Sequence, residues 1–157
     1  MRLERGCVWL FILLPSALSI ALQPLANYPD LYEASILELQ AGLEKNQFTS
    51  VDLIRAYLAR IDEVNFTGAK LRAVIETNPS ALKQAASLDD ERKKSGKRSP
   101  LHGIPILLKD NIATLTCEGM NTTAGSYALL KSIVPGDATV AAKLRRAGAI
   151  LLGKANM

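Results

Sequence analysis

Lys109 closes an apolar run. The stretch LHGIPILLKDNI, Leu101 to Ile112, carries no charge between Gly103 and Leu108, and then gives Lys109, Asp110 and Asn111 in succession. Burial disfavours the ammonium form, so a lysine driven into an apolar site has a lowered pKa. A lysine that is neutral near pH 7 is a competent general base. It can activate a hydroxyl nucleophile where no histidine is at hand. The competing reading is a strand-end lysine whose stem packs on apolar neighbours while its head reaches water beside Asp110.

Other reactive residues are few. His102 is the single histidine, so a histidine-based triad is possible but thin. One histidine and the cysteines Cys7 and Cys117 do not build the usual four-ligand zinc cluster, and neither a metal nor a cofactor is expected. Gly148 to Ala155, GAILLGKA, nearly matches the phosphate loop GxxxxGK[ST]. Ala155 stands where a magnesium-binding hydroxyl is needed. The predicted order is also helix, glycine, strand, whereas the motif runs strand, loop, helix. The basic run ERKKSGKR, Glu91 to Arg98, could bind phosphate or anionic lipid, but a solvated helix end explains it more simply.

The elements that must position these residues sit in a chain of 157 residues. Hydrophobic residues make up 48% of it, enough for a core. A net charge of +4 with 5% aromatic residues lacks the dense basic, base-stacking surface of a nucleic-acid binder. At the start, MRLERG precedes the apolar run CVWLFILLPSALSIAL, which is shorter than the roughly 20 residues that span a bilayer. Near its end small residues sit at a spacing that suits cleavage, Ser19 and Ala21 or Ala17 and Ser19. Residues 1–21 therefore read as a secretory signal peptide, with an uncleaved anchor as the alternative that Pro15 within the run disfavours, and residues 22–34 as a lead-in. Its removal takes Cys7 away, excludes a disulfide framework, and leaves no stable membrane span. A secreted or endomembrane-lumen location is expected. The sequons at Asn65 and Asn121 suit that location, while Pro79 excludes Asn78.

Ser35 with Glu38 forms a capping box ahead of a first helix, and Thr49 or Ser50 caps a second. Leu53, Ile54, Tyr57, Leu58 and Ile61 make one helical stripe, in which Tyr57 reads as core. Leu71 to Thr77 is a predicted strand, and Pro79 opens a third helix. Ile104 to Leu108 and Ile150 to Gly153 are predicted as buried strands. Ala124 to Lys131 is predicted as a short helix. Another, capped by Asp137, should stop at Gly148. Alternating strands and helices favour an α/β arrangement with parallel pairing.

Four blocks of this sequence resemble the amidase signature family. They are FTSVDLIRAYLARI from Phe48, PLHGIPILLKDNI from Pro100, MNTTAGSYAL from Met120 and DATVAAKLRRAGAILLGKANM from Asp137. They fall in the family's order and spacing. The resemblance implies an α/β fold, the N-terminal portion of an α/β/α architecture around a mixed sheet. It also implies hydrolysis of small-molecule carboxylic amides by a Ser–cis-Ser–Lys triad. Lys109 matches the lysine of that triad. The family's two serines lie in Gly/Ser-rich segments beyond the block that here reads GKANM. Ser126 belongs to the TTAGS block and does not match the nucleophile. Residues 35–157 are thus expected to be the N-terminal part of an amidase domain, inactive alone. Met120, Asn121, Thr122 and Thr123 are candidates to line the substrate pocket, with loop packing as the alternative. A short secreted form that binds a partner or an amide ligand is the competing function.

Overall fold

The computed structural model describes residues 31–157. The expected signal peptide and most of the lead-in lie outside the described residues.

The helices α1 (Ile36–Glu44) and α2 (Ser50–Ile61) begin at the capping boxes Ser35/Glu38 and Thr49/Asp52. Thr49, not Ser50, is the second cap. In each box the hydroxyl accepts an amide hydrogen bond and the N3 carboxylate accepts the cap's own amide. A π-helical turn, Asp62–Thr67, follows α2. The strand β1 (Val74–Thr77) leads to α3 (Ala81–Ser95), then β2 (Pro105–Lys109), α4 (Thr139–Arg146) and β3 (Ile150–Ala155).

The sheet has the order β1-β3-β2. β3 pairs parallel with β2 and antiparallel with β1, so the sheet is mixed rather than wholly parallel. Side chains of β3 alternate between two covered faces. Ile150 and Leu152 pack with Ile54, Ala81, Ala85 and Leu88 of α2 and α3. Leu151 packs on the other side with Ala141 of α4, Leu108 and Met120. A third cluster joins α1 and α2 to the start of β2 through Leu39, Leu43, Phe48, Leu53 and Ile104. Tyr57 packs against the α2–α3 and α1–α2 clusters, as its place in the helical stripe predicts.

Two local expectations give way to tertiary contacts. The helix expected at Ala124–Lys131 is a short 3-10 turn, Tyr127–Leu129. Ala124 at φ +49° and Gly125 at φ +73° turn the backbone left-handed where a helix would start. Asp137 does not cap α4: Ala138 occupies that position without a side-chain cap bond. The Asp137 carboxylate instead accepts from the Leu115 amide at 2.8 Å and from Arg145 Nε at 2.7 Å.

His102 ties the α3–β2 connection together. Its Nδ1 accepts from the Arg98 amide at 3.3 Å, so Nε2 carries the proton and donates to Leu88 O at 2.9 Å. Its own carbonyl accepts from Gln40 Nε2 and Arg92 Nη2. The ring is fully buried, with both nitrogens committed, which is a structural role rather than a triad base. The basic run nearby is spent locally: Arg98 pairs with Glu91, and Lys97 with Glu44.

Candidate functional site

β2 and β3 run side by side and end together. Leu108 stands opposite Lys154, and Lys109 opposite Ala155. The carboxyl ends of parallel strands are where open α/β sheets present their ligand sites. Lys109 is the last residue of β2 and its side chain is exposed. The burial expected of it from the apolar run is absent among the described residues. Its carbonyl accepts from the Ile112 amide at 2.9 Å, closing a tight turn. The next amide, that of Asp110, donates to Ala155 O at 3.0 Å, so the backbone on both sides of the lysine is pinned to β3 or to the turn.

Asp110 points inward and is fully buried. Its carboxylate accepts the Thr123 hydroxyl, the Thr123 amide at 3.4 Å and the Gly125 amide at 3.1 Å. Burial alone would raise this carboxyl. The three donors and the Lys154 ammonium outweigh it and hold the group below its ordinary value.

Lys154 is the lysine that the fold buries, with no exposed surface. Its Nζ donates to Ile112 O at 2.6 Å and to Thr122 Oγ1 at 3.2 Å. Burial lowers its pKa, opposed by the charges of Asp110, Glu76 and Asp137. The phosphate-loop resemblance fails here in space as in sequence. Gly148, at φ +86°, ends a helix and begins a strand, and the lysine faces a carbonyl inside the core. In the sequence Lys154 stands out only within the phosphate-loop likeness. The available signal was the one that marks Lys109, since Ala149–Leu152 is also an apolar run and Lys154 closes it after Gly153.

The four candidate pocket residues separate. Met120 is a core residue, 1% exposed, packed with Leu108, Ala141 and Leu151 and outside the wall of the cavity that Asn121 and Thr123 line. Thr122 faces Lys154, and its hydroxyl also accepts from the Thr114 amide. Asn121 and Thr123 do line a cavity of about 430 Å³, together with Glu76, Asp110, Arg72 and Tyr127. Asn121 is held there by Glu76, which accepts its amide at 2.5 Å and its Nδ2 at 3.0 Å. Lys109 is not part of that cavity wall. Asn65 is 1% exposed and is bound on both sides of its amide, donating to Val74 O and accepting from Val74 N. A glycan on Asn65 is incompatible with this arrangement. Cys117 is an exposed free thiol, and no group of metal-ligating side chains occurs among the described residues. No helix among them is long and apolar enough to cross a membrane.

A mixed sheet with helices on both faces and a lysine at the carboxyl end of a parallel strand is an α/β arrangement of the kind that the resemblance to the amidase signature family implies. Known proteins agree. The family model described as Amidase matches residues 52–157. A putative amidase of Arthroderma benhamiae is 45% identical, over 82% of this chain and 24% of its own length. A glutamyl-tRNA(Gln) amidotransferase subunit of Methylococcus capsulatus is 39% identical, over 81% of this chain and 25% of its own. Among solved structures, the native peptide amidase of Stenotrophomonas maltophilia superposes with a TM-score of 0.73 at 49% identity. That match covers 80% of this chain and 25% of the bacterial one. The chain belongs to the amidase family, and it spans about a quarter of the length of the relatives it matches.

Proposed function

We propose that these residues are the lysine-bearing part of an amidase that hydrolyses carboxylic amides to acid and ammonia, with Lys109 as its base. The observation that carries this reading is the setting of Lys109. It ends a parallel strand, its backbone is fixed on both sides, and its head is exposed with no side-chain partner among the described residues. Once deprotonated, an amine held there can take the proton of the attacking serine hydroxyl through the second serine as the oxygen attacks the amide carbon. It can return that proton to the leaving nitrogen, so that the C–N bond breaks and ammonia departs. Water then releases the acid from the acyl-serine. The resemblance supplies the two serines from segments beyond the GKANM block. The 157 residues contain no Gly-Gly-Ser-Ser-type stretch, so on their own they are expected to be inactive.

A chimera tests this. Residues 35–157 replace the matching quarter of the peptide amidase from S. maltophilia, whose serines remain in place. The chimera should keep amidase activity, and Lys109→Ala within it should lower kcat at least about 10³-fold, as expected for loss of an essential proton acceptor. A chimera whose activity survives Lys109→Ala overturns the assignment. Detectable ammonia release by the unfused chain, lost with the same substitution, would overturn the expected inactivity.

The secretory reading of residues 1–21 belongs to the same proposal. It is supported by the basic start, the apolar run and the small residues before Leu22. Secreted protein whose first residue lies near Leu22 would bear it out, and retention of Met1 would refute it.

A further inference from the structure

Lys154 is an expensive residue in its position. A lysine with no exposed surface must pay for desolvation of its charge, and an apolar residue would fill a strand interior without that cost. The cost has to be offset by what its head group binds. The carboxylates of Asp110, Glu76 and Asp137 favour the charge, and the hydrogen-bond partners of its head group both belong to the segment that begins with Lys109. Nζ donates to Ile112 O, and the amide of that same residue donates to Lys109 O. Nζ also donates to Thr122 Oγ1, which accepts from the Thr114 amide. Lys154 therefore touches both sides of the connection that leaves β2: the turn at its start and the irregular return at Thr122.

The register adds to this. Lys154 lies opposite Leu108, one position before Lys109, and the following residue, Ala155, accepts the Asp110 amide. β3 thus grips the end of β2 through its backbone and the turn beyond it through the Lys154 side chain. Tightening both is what keeps a strand-end side chain in one place.

We propose that Lys154 is a positioning residue that fixes the turn Lys109–Ile112, and with it the direction in which Lys109 leaves the sheet. The consequence for catalysis rests on the assignment of Lys109 as base. Lys154 itself touches only the connecting segment. Without its donor, Ile112 O and Thr122 Oγ1 are left in the interior without that partner, and the turn is free to open. Lys109 then swings with it, since its carbonyl closes the turn.

Amide hydrogen exchange in the full chain tests this directly, because it reads the turn and not hydrolysis. The reporter is the Ile112 amide, and the reference is the Ile150 amide, which bonds to Ile104 O at 2.9 Å at the other end of the β2–β3 pair. Lys154→Met keeps the length and apolar stem but removes the donor. It should raise exchange at Ile112 at least tenfold relative to Ile150. Lys154→Arg, which keeps a cationic donor, should bring the ratio back to within about threefold of wild type. Equal acceleration at both amides would reduce Lys154 to a general stability residue and overturn the proposal, as would unchanged protection at Ile112. If Lys154→Met does not fold, Thr122→Val removes one acceptor and leaves the lysine in place. A rise of threefold or more at Ile112 over Ile150 then supports the proposal, and a smaller one overturns it. The chimera's response to Lys109→Ala is a separate measurement, so either assignment can fail while the other stands.

Discussion

The Asp110 carboxylate accepts the Thr123 hydroxyl across thirteen residues of sequence, and the Gly125 amide completes the grip. This bond folds the loop after β2 back onto the residue next to Lys109. Asp110→Ala should cost about 3 kcal/mol, as removal of one member of a buried charged network does. The pH dependence follows from the sign of the shift. A carboxyl held below its ordinary value contributes stability above its unfolded pKa, and loses it as pH falls through the folded one. Urea unfolding of wild type and Asp110→Asn should therefore differ near pH 7 and converge in acid. A gap that stays constant into acid would show that the ionised carboxylate is not the stabilising form.

His102 is expected to matter for folding and not for chemistry. Its ring bridges Leu88 O and the Arg98 amide in a site without solvent. His102→Ala should cost about 2–4 kcal/mol, from a cavity plus two orphaned backbone groups. In the chimera, the folded fraction of that variant should keep kcat within about threefold of the parent. A loss of several hundredfold in well-folded His102→Ala would return the histidine to the catalytic groups.

Local signals in the sequence were enough for α1 and α2. Ser35 and Glu38, Thr49 and Asp52, and the stripe from Leu53 to Ile61 act within one or two turns, so type and spacing decide them. The four blocks were enough for the family. What the chain pattern hid depends on distant partners. The antiparallel pairing of β1 requires Val74 to meet Ala155, and no local periodicity records that. Met120 resembles a pocket residue only until Leu108, Ala141 and Leu151 close around it. Asn65 carries a valid sequon, yet its amide is spent on Val74. Lys109 and Lys154 both close apolar runs, and only the fold shows which of them is buried.

The Asn65 geometry makes a prediction about modification. A glycan occupies Nδ2, the atom that donates to Val74 O at 2.9 Å in a site with almost no solvent. A sugar on Nδ2 needs room that this buried site lacks, so attachment would force the pairing with Val74 open and unseat the start of β1. Peptide mapping of folded protein from a secretory host should find Asn65 unmodified. Asn65→Gln would not serve as a silent control here, since the longer side chain cannot reproduce the paired bonds; it should destabilise by about 1–3 kcal/mol. Full occupancy of Asn65 in folded protein would contradict the packing of this loop.

Gly153 has a steric task that the phosphate-loop likeness conceals. A Cβ on it would lie 2.4 Å from Glu76 O and 3.1 Å from Thr77 Cα, both backbone atoms of β1. Neither can rotate away, so the strands must part or the register must slip. Gly153→Ala should cost about 1–3 kcal/mol. In a domain of this size that lowers Tm by about 3 °C for each kcal/mol. Gly136→Ala is the matched control, because nothing lies within 4 Å of a Cβ there. It should change stability by less than about 0.5 kcal/mol. The loss at Gly153 should also weaken the β1–β3 ladder more than the β2–β3 ladder, since the clash lies on the β1 side. Amide exchange should therefore rise first at Asn78, whose amide bonds to Leu152 O, and later at Ile150, whose amide bonds to Ile104 O. Equal thermal shifts for the two glycine variants would mean that β1 yields to a methyl group without cost, and the close approach of the strands would then have no role in holding β3 in register.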